Sequence, residues 1–275
     1  MSKVTPQMVK ELRERTGVGM GKCKQALDEV SGDMEKAIDF LRKAGAASAV
    51  KKEGRETNEG IIGFAENDTG IAVVEVNAET DFVIQNEKFK AFVQALAEQA
   101  LKEKAPSLES FLKSSHKGQT VEELRIELVQ SMGENLQIRR VHFMKKKPGA
   151  SYGLYSHMGG KIVTAVELSS STAAGAVARE IAMHAAAEAP EYLSPAEVPQ
   201  ELKMREEEIA REQVKGRPEN IMGKIVEGKM NAFYDQVCLP RQKFVKDSSL
   251  TVAQYIEKEA KGATLTAFIR WQMGV

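Results

Sequence analysis

Aromatic residues are scarce in this chain, at 6% of 275 residues with a single tryptophan, so platforms for stacking nucleic-acid bases are few. Cysteine is scarcer still. Cys23 and Cys238 lie far apart and outside any CxxC spacing, which excludes a disulfide framework and a cysteine zinc site and predicts two reduced, buried thiols. Net charge is absent too: 39 basic residues balance 39 acidic ones, and no overall field draws the chain to nucleic acid or to an anionic membrane. The short basic stretches "RVHFMKKKPG" and "AVKKEG", and the pair Lys22 and Lys24, read as solvated faces, and no direct nucleic-acid partner is expected. No apolar run approaches the roughly 20 residues that span a bilayer, and the first residues lack the hydrophobic region of a signal peptide. A cytoplasmic protein with no membrane partner is expected.

The residues of common chemistry are equally sparse. The four histidines, His116, His142, His157 and His184, occupy different segments without HxxxH or HExxH spacing, which gives a metal cluster no local support. Neither a GxSxG elbow nor a GxGxxG after a strand occurs. "TGVGMGKC" approaches a phosphate loop, but that motif needs Gly at position 16 and Ser or Thr at position 23, where Thr16 and Cys23 stand. Its glycines read as a turn between helices. An enzyme is not expected, nor are catalytic residues, metal ligands or a cofactor.

What is present is ordered pattern. A hydrophobic content of 42% with 28% charged residues is that of a globular chain, long enough for more than one domain. Residues 5–46 carry a helical period broken at "TGVG" and "SGD", which predicts three short helices, with Pro6 in a first turn and Gly45 as a C-cap. Met20, Cys23, Leu27 and Val30 form one apolar stripe, and so small a bundle is expected to lean on another surface. "SAVKKEGRETNEG" reads as a linker. From Gly60 the period alternates: "GIIGFAENDTGIAVVEVN" predicts a hairpin and "EKFKAFVQALAEQALKEK" a helix, and the same order returns in "YGLYSHMGGKIVTAVELS" and "AAGAVAREIAMHAAAEAPEYL". "MGENLQIRRVHFM" and "GATLTAFIRWQM" close the two repeats as strands. The second repeat also contains a charged segment that is helical on both sides of "KGRP", with Gly216 to end one helix and Pro218 to begin the next. Leu202 and Ile209 on one arm, and Met222, Val226, Met230 and Phe233 on the other, predict an antiparallel helical hairpin, either projecting as an interaction arm or packed flat.

The fold class is therefore α+β. Expected domains are a three-helix domain with its linker at 1–55, one α+β subdomain at 56–147, and a second at 148–275 carrying the hairpin insert at 195–236. Each subdomain is expected to hold a three-stranded antiparallel sheet backed by helices. One stretch remains open in meaning. In "VNAETDFVIQNEKF", Asp81-Phe82 reads either as a helix cap followed by a core residue or as a two-residue wedge presented to a partner. His157, at the tip "YSHMGGK" of a predicted hairpin, reads as a solvated turn histidine or a contact residue.

Three stretches, "VKELRERTGVGMGKCKQALDEVSGDMEKAIDFLRKAG", "VNAETDFV" and "KIVEGKMNAFYDQVCLPRQKFVKD" with "FIRWQMG", resemble the bacterial elongation factor Ts family, nucleotide exchange factors of the GTPase elongation factor Tu. "GENLQIRR" and "AMHAAAEAPEYL" fit as well, so the resemblance spans essentially the whole chain. It implies an N-terminal domain like the ubiquitin-associated fold, two homologous α+β subdomains and a helical hairpin that dimerises. It also implies that Thr80, Asp81, Phe82 and Val83 intrude near the partner's magnesium site, and that Leu12, Met20, Lys24, His157 and Val237 lie at or near the partner contact. Family members often carry a second methionine where Gly21 stands, and some continue past "FIRWQMGV" into a further helix, so two contacts of those members are expected to be missing. The alternative from another class is a scaffold or adaptor that uses only the bundle and the hairpin.

Overall fold

The computed structural model describes residues 4–116, 118–169 and 174–274. The chain forms two compact units, Lys147–Gln272 being one and the residues before it, with the last few after it, the other.

The first unit opens with α1 (Pro6–Thr16), α2 (Met20–Glu29) and α3 (Met34–Lys52). Thr5 and Asp33 cap α1 and α3 by accepting backbone N–H bonds from Met8 and Lys36, and Pro6 takes a first-turn position that needs no donor. The three helices close around Val9, Leu12, Val18, Cys23, Ala26, Leu27, Ala37 and Leu41. Met20 leaves the expected apolar stripe and stands half exposed, while Cys23 and Leu27 are buried. Two expectations change here. The first five residues of the stretch read as a linker, 48–52, continue α3 to Lys52, because "AGAASAVKK" is rich in the strongest helix formers and places Ala49 in the main core of this unit, while 53–58 stay outside helix and strand. Gly45 accordingly lies inside α3, buried, where an added Cβ would come within 2.6 Å of Gln130 Oε1 on a later helix; it permits close helix approach and caps nothing.

Next come β1 (Glu59–Asn67), β2 (Gly70–Ala78), α4 (Asp81–Gln85), α5 (Glu87–Glu103), α6 (Leu108–Lys113), a small ladder of β3 (Ser115–His116) with β4 (Gln119–Thr120), α7 (Val121–Met132) and β5 (Leu136–Lys145). The sheet runs β1-β2-β5, antiparallel throughout. Alternate residues of β2, Ala72, Val74, Val76 and Ala78, enter one core with Phe89, Val93, Leu96 and Ala97 of α5.

The second unit repeats this plan. β6 (Ser151–His157) and β7 (Ile162–Ser169) form a hairpin, α8 (Gly175–Glu188) packs on it, and β10 (Thr264–Gln272) pairs with the free edge of β7 to give the order β10-β7-β6. Two details recur at matching places. Gly63 on β1 and Gly153 on β6 let the helix approach the first strand: a Cβ would lie 2.5 Å from Val93 Cγ1 in one copy and 2.1 Å from the α8 backbone at Ala178 and Arg179 in the other. Each middle strand also buries a glutamate opposite a bulge. Arg140 meets Glu75 at 2.6 Å while the bulged Arg139 approaches it at 3.9 Å, and the bulged Thr266 donates to Glu167 at 2.6 Å.

Between α8 and β10 stand α9 (Gln200–Gln213), α10 (Glu219–Val237), a 3-10 turn at Leu239–Arg241, β8 (Lys243–Phe244), β9 (Asp247–Thr251) and α11 (Val252–Glu259). α9 and α10 fold back on each other across Gly216, which takes φ +89°, with Pro218 just ahead of α10 at its cap position. Their shared core is small: Ala210, Val214 and Val226 are buried, Met222, Ile225 and Met230 pack against them, and Met204, Ile209 and Ile221 stay exposed. The fold is thus α+β, with an N-terminal helical domain and small antiparallel sheets.

Candidate functional site

The "ETDFV" segment turns from β2 into α4. Thr80 has extended backbone, φ −128° and ψ 159°, in the N-cap position, but its side chain makes no bond to its own helix. Its N–H and hydroxyl both donate to the carboxylate of Glu134, at 3.1 and 2.7 Å. α4 lasts five residues before Asn86, which ends it by donating its N–H to the Val83 carbonyl and starts α5 by accepting from the Lys88 N–H at 2.9 Å. Val83 points inward, 7% exposed, within the core that holds Phe89. Phe82 is turned outward with 81% of its surface in water, and Asp81 is exposed beside it. Of the two readings the residues left open, the core residue is excluded. The cap is real in position and is held by Glu134, 54 residues away. That partner was not visible in the sequence, because nothing local links "AETD" to "GENL".

The N-terminal candidates divide. Met20, at the first position of α2, is 50% exposed and Lys24 is exposed one turn on. Leu12 has 0% of its surface exposed and fills the bundle core, so its expected place at a contact surface is corrected: it supports α1 and α2 and meets solvent nowhere. The "TGVG" stretch is a turn between helices, with Gly17 at φ +67° closing α1, the Thr16 hydroxyl donating to the Leu12 carbonyl at 2.7 Å, and Cys23 Sγ donating to the Val18 carbonyl. Burial pushes the Cys23 thiol above its ordinary value, which suits an inert core residue.

His157 and Val237 lie in the second unit. His157 ends β6, exposed, with its Nδ1 3.0 Å from the Tyr155 hydroxyl and the two rings stacked. Met158 follows at φ +49° with 71% of its surface exposed, ahead of Gly159 and Gly160; a bulky residue at a glycine turn is the sequence signal that marks it. Val237 is half-buried at the end of α10, and its carbonyl accepts from the N–H groups of Glu191 and Tyr192 at 2.9 and 3.0 Å. A buried histidine completes this region. His184 accepts at Nδ1 from the Val245 N–H and holds Gln242 Oε1 at 3.0 Å from Nε2, while the Gln242 amide donates to the carbonyls of Glu188 and Gln236. Burial lowers its pKa and keeps it neutral, as those bonds require.

The arrangement offers exposed apolar and charged side chains on fixed backbone. Among the described residues no group of three or more His, Cys, Asp or Glu could hold a metal ion, and no helix is long and apolar enough to cross a membrane. A family model described as Elongation factor TS matches residues 79–275, a span that starts one residue before the Thr80–Val83 segment. The chain is similar over its full length to whole relatives named elongation factor Ts: 54% identical to that of Protochlamydia amoebophila strain UWE25, 42% to that of Chlamydia trachomatis serovar L2 and 40% to that of Chlamydia muridarum. With the model covering well over half of it and these relatives all of it, the chain belongs to the elongation factor Ts family of translation elongation factors.

Proposed function

We propose that the chain is a guanine nucleotide exchange factor and not an enzyme: in the cytoplasm it binds elongation factor Tu carrying GDP and speeds GDP release so that GTP can follow. The observation that carries this reading is the outward Phe82, 81% exposed on a helix start whose next residue is buried. Exposed apolar residues are ordinary one at a time. This one sits on fixed backbone, in the segment that the family resemblance sets against the partner's magnesium site.

The physics asks for differential affinity. A GTPase releases GDP slowly because a divalent cation bridges protein and phosphate, and a factor accelerates release only if it binds the nucleotide-free form more tightly than the GDP form. In this reading Phe82 fills an apolar gap between helices of the GTPase and shifts one of them, while Asp81 disturbs the polar contacts that support the magnesium water shell. Thr80 and Val83 hold the pair, and Met20, Lys24, His157 and the Val237 segment widen the contact. A thousandfold acceleration needs about 4 kcal/mol off the barrier, and one aromatic anchor contributes on the order of 2–4 kcal/mol, so the wedge with its surrounding contacts is sufficient in size. The three-helix domain and the two α+β subdomains are the carriers of these contacts, and the helical hairpin, with Met204, Ile209 and Ile221 exposed, is a surface for a second copy of the chain.

The test is release of a fluorescent GDP analogue from elongation factor Tu in magnesium with the factor at about one hundredth of the partner's concentration, where turnover separates a catalyst of exchange from a stoichiometric binder. Complete, accelerated release is expected. Release limited to the amount of factor added would favour an adaptor.

A further inference from the structure

The turn that presents Phe82 is locked by two pairs of consecutive residues that exchange hydrogen bonds. Glu134, between α7 and β5, accepts from the Thr80 N–H and hydroxyl. Glu79 answers in the opposite direction: its Oε1 accepts from the Asn135 N–H at 2.5 Å and from Arg55 at 3.3 Å. The loop carrying Glu134 is itself fixed, because the buried Asn135 amide donates to the carbonyls of Arg55 and Glu53 at 3.0 and 3.4 Å, and the Lys52 ammonium donates to the Gly133 carbonyl at 2.8 Å. Glu79-Thr80 and Glu134-Asn135 thus form a reciprocal clasp between segments 54 to 56 residues apart.

α4 needs such a clasp. Five residues are too few for a helix to hold its own direction, and Thr80 gives it no capping bond of its own. The exposed ring of Phe82 has little of the chain to rest on, so its direction is set by the backbone on either side: Val83 packed in the core behind it, and Thr80 bonded to Glu134 ahead of it. Glu134 is only half-buried, so its removal strands no buried charge, and water can reach Thr80 in its place. What its removal takes away is the fixed start of the helix.

We infer that Glu134 is a positioning residue for exchange: it acts through Thr80 to hold Phe82 in the orientation that enters the partner, and touches neither partner nor nucleotide itself. This rests on the reading of Phe82 as the wedge. An anchor ordered before binding loses less freedom in the transition state, so loosening it reduces the rate at saturation more than the affinity.

The experiment uses full-length protein in the GDP release assay: wild type, Phe82→Ala, Glu134→Ala, Glu134→Gln and the Phe82→Ala, Glu134→Ala double variant, with amide hydrogen exchange of each protein alone. Loss of bonds to a charged acceptor is expected to lower the maximal release rate of Glu134→Ala by about tenfold, with the half-saturating concentration within about threefold of wild type. Glu134→Gln, whose amide oxygen still accepts, recovers most of the rate. In the Phe82→Ala background the same truncation should reduce the rate by less than about twofold, since the ring it positions is gone. Hydrogen exchange should quicken in residues 80–85 of Glu134→Ala and stay unchanged in α5. Equal effects of Glu134→Ala with and without Phe82 would overturn the inference, as would an unchanged maximal rate or unchanged exchange of residues 80–85. If Phe82→Ala alone has no effect, the wedge reading has failed and the inference falls with it, an outcome distinct from those. Should Glu134→Ala not fold, Thr80→Val, which removes the hydroxyl bond alone, carries the same double-variant test.

Discussion

Truncation of Phe82 to alanine separates a wedge from a structural ring by two magnitudes that point opposite ways. Full burial of a phenylalanine side chain is worth about 1.5–3 kcal/mol of transfer free energy. Phe82 keeps 81% of its surface in water, so less than a fifth of that benefit is realised in the free chain. Phe82→Ala should therefore cost no more than about 0.5 kcal/mol of stability, or roughly 2 °C in melting temperature for a domain of this size. In the complex the ring would be enclosed by the partner, and loss of an aromatic anchor at an interface costs about 2–4 kcal/mol, a reduction in GDP release of roughly 30- to 900-fold when expressed through kcat/KM. The assay is stopped-flow release of fluorescent GDP over a range of factor concentrations, alongside thermal melts of the two proteins. A release rate within twofold of wild type, with the melt unchanged, would refute the wedge. A fall of many degrees in the melt would refute the placement of the ring itself.

Its neighbour gives the converse. Val83→Ala removes buried methyl groups from the core beneath α4 and should destabilise by about 1.5–2.5 kcal/mol in urea unfolding. Gly153→Ala should be worse than any conservative change on the surface, at about 3 kcal/mol or more, because the new Cβ would sit 2.1 Å from α8 backbone that cannot yield; failure of the variant to lose stability would show that β6 and α8 lie further apart than described. In acid, Glu167 gives a signed effect. Burial alone would raise its pKa, but hydrogen bonds from Lys147, Thr266 and Tyr152 outweigh it and hold the carboxyl below the ordinary 4.5. A carboxylate lowered on folding stabilises above its unfolded pKa and loses that contribution as pH falls through the folded one, so the stability gap between wild type and Glu167→Gln should close below pH 4.5 and persist at neutral pH. On the hairpin, Met204→Glu with Ile209→Glu should abolish any dimer seen by light scattering while leaving GDP release at saturation within about twofold; persistence of the dimer would place self-association elsewhere.

Much of this architecture was legible because its signals are local. Alternation in "GIIGFAENDTGIAVVEVN" and "YGLYSHMGGKIVTAVELS" marked the hairpins β1-β2 and β6-β7, and the recurrence of the same element order marked the duplication. The charged segment around Gly216 marked α9 and α10. What was illegible depends on residues distant in sequence. Gly45 resembled a helix end because its real reason, the approach of Gln130 from α7, lies far along the chain. The start of the linker, 48–52, resembled a loop because its lysines concealed the end of a helix whose Ala49 joins a core formed by later strands. Leu12 was carried to a contact surface by resemblance alone, and burial inside its own bundle decides against it. At "ETDFV" the position of the cap was readable from Thr80, but the outward turn of Phe82 follows from the inward turn of Val83 and from Glu134.

Exchange by this chain rests on a difference in affinity between two states of the partner. Titration of the chain against elongation factor Tu, once stripped of nucleotide and once saturated with GDP in magnesium, measures that difference directly by calorimetry. Binding at least about a hundredfold tighter to the nucleotide-free form is expected, with GDP weakening the complex by the same factor when added to it. Equal affinity for the two forms would contradict it, since a ligand that binds both states alike shifts neither.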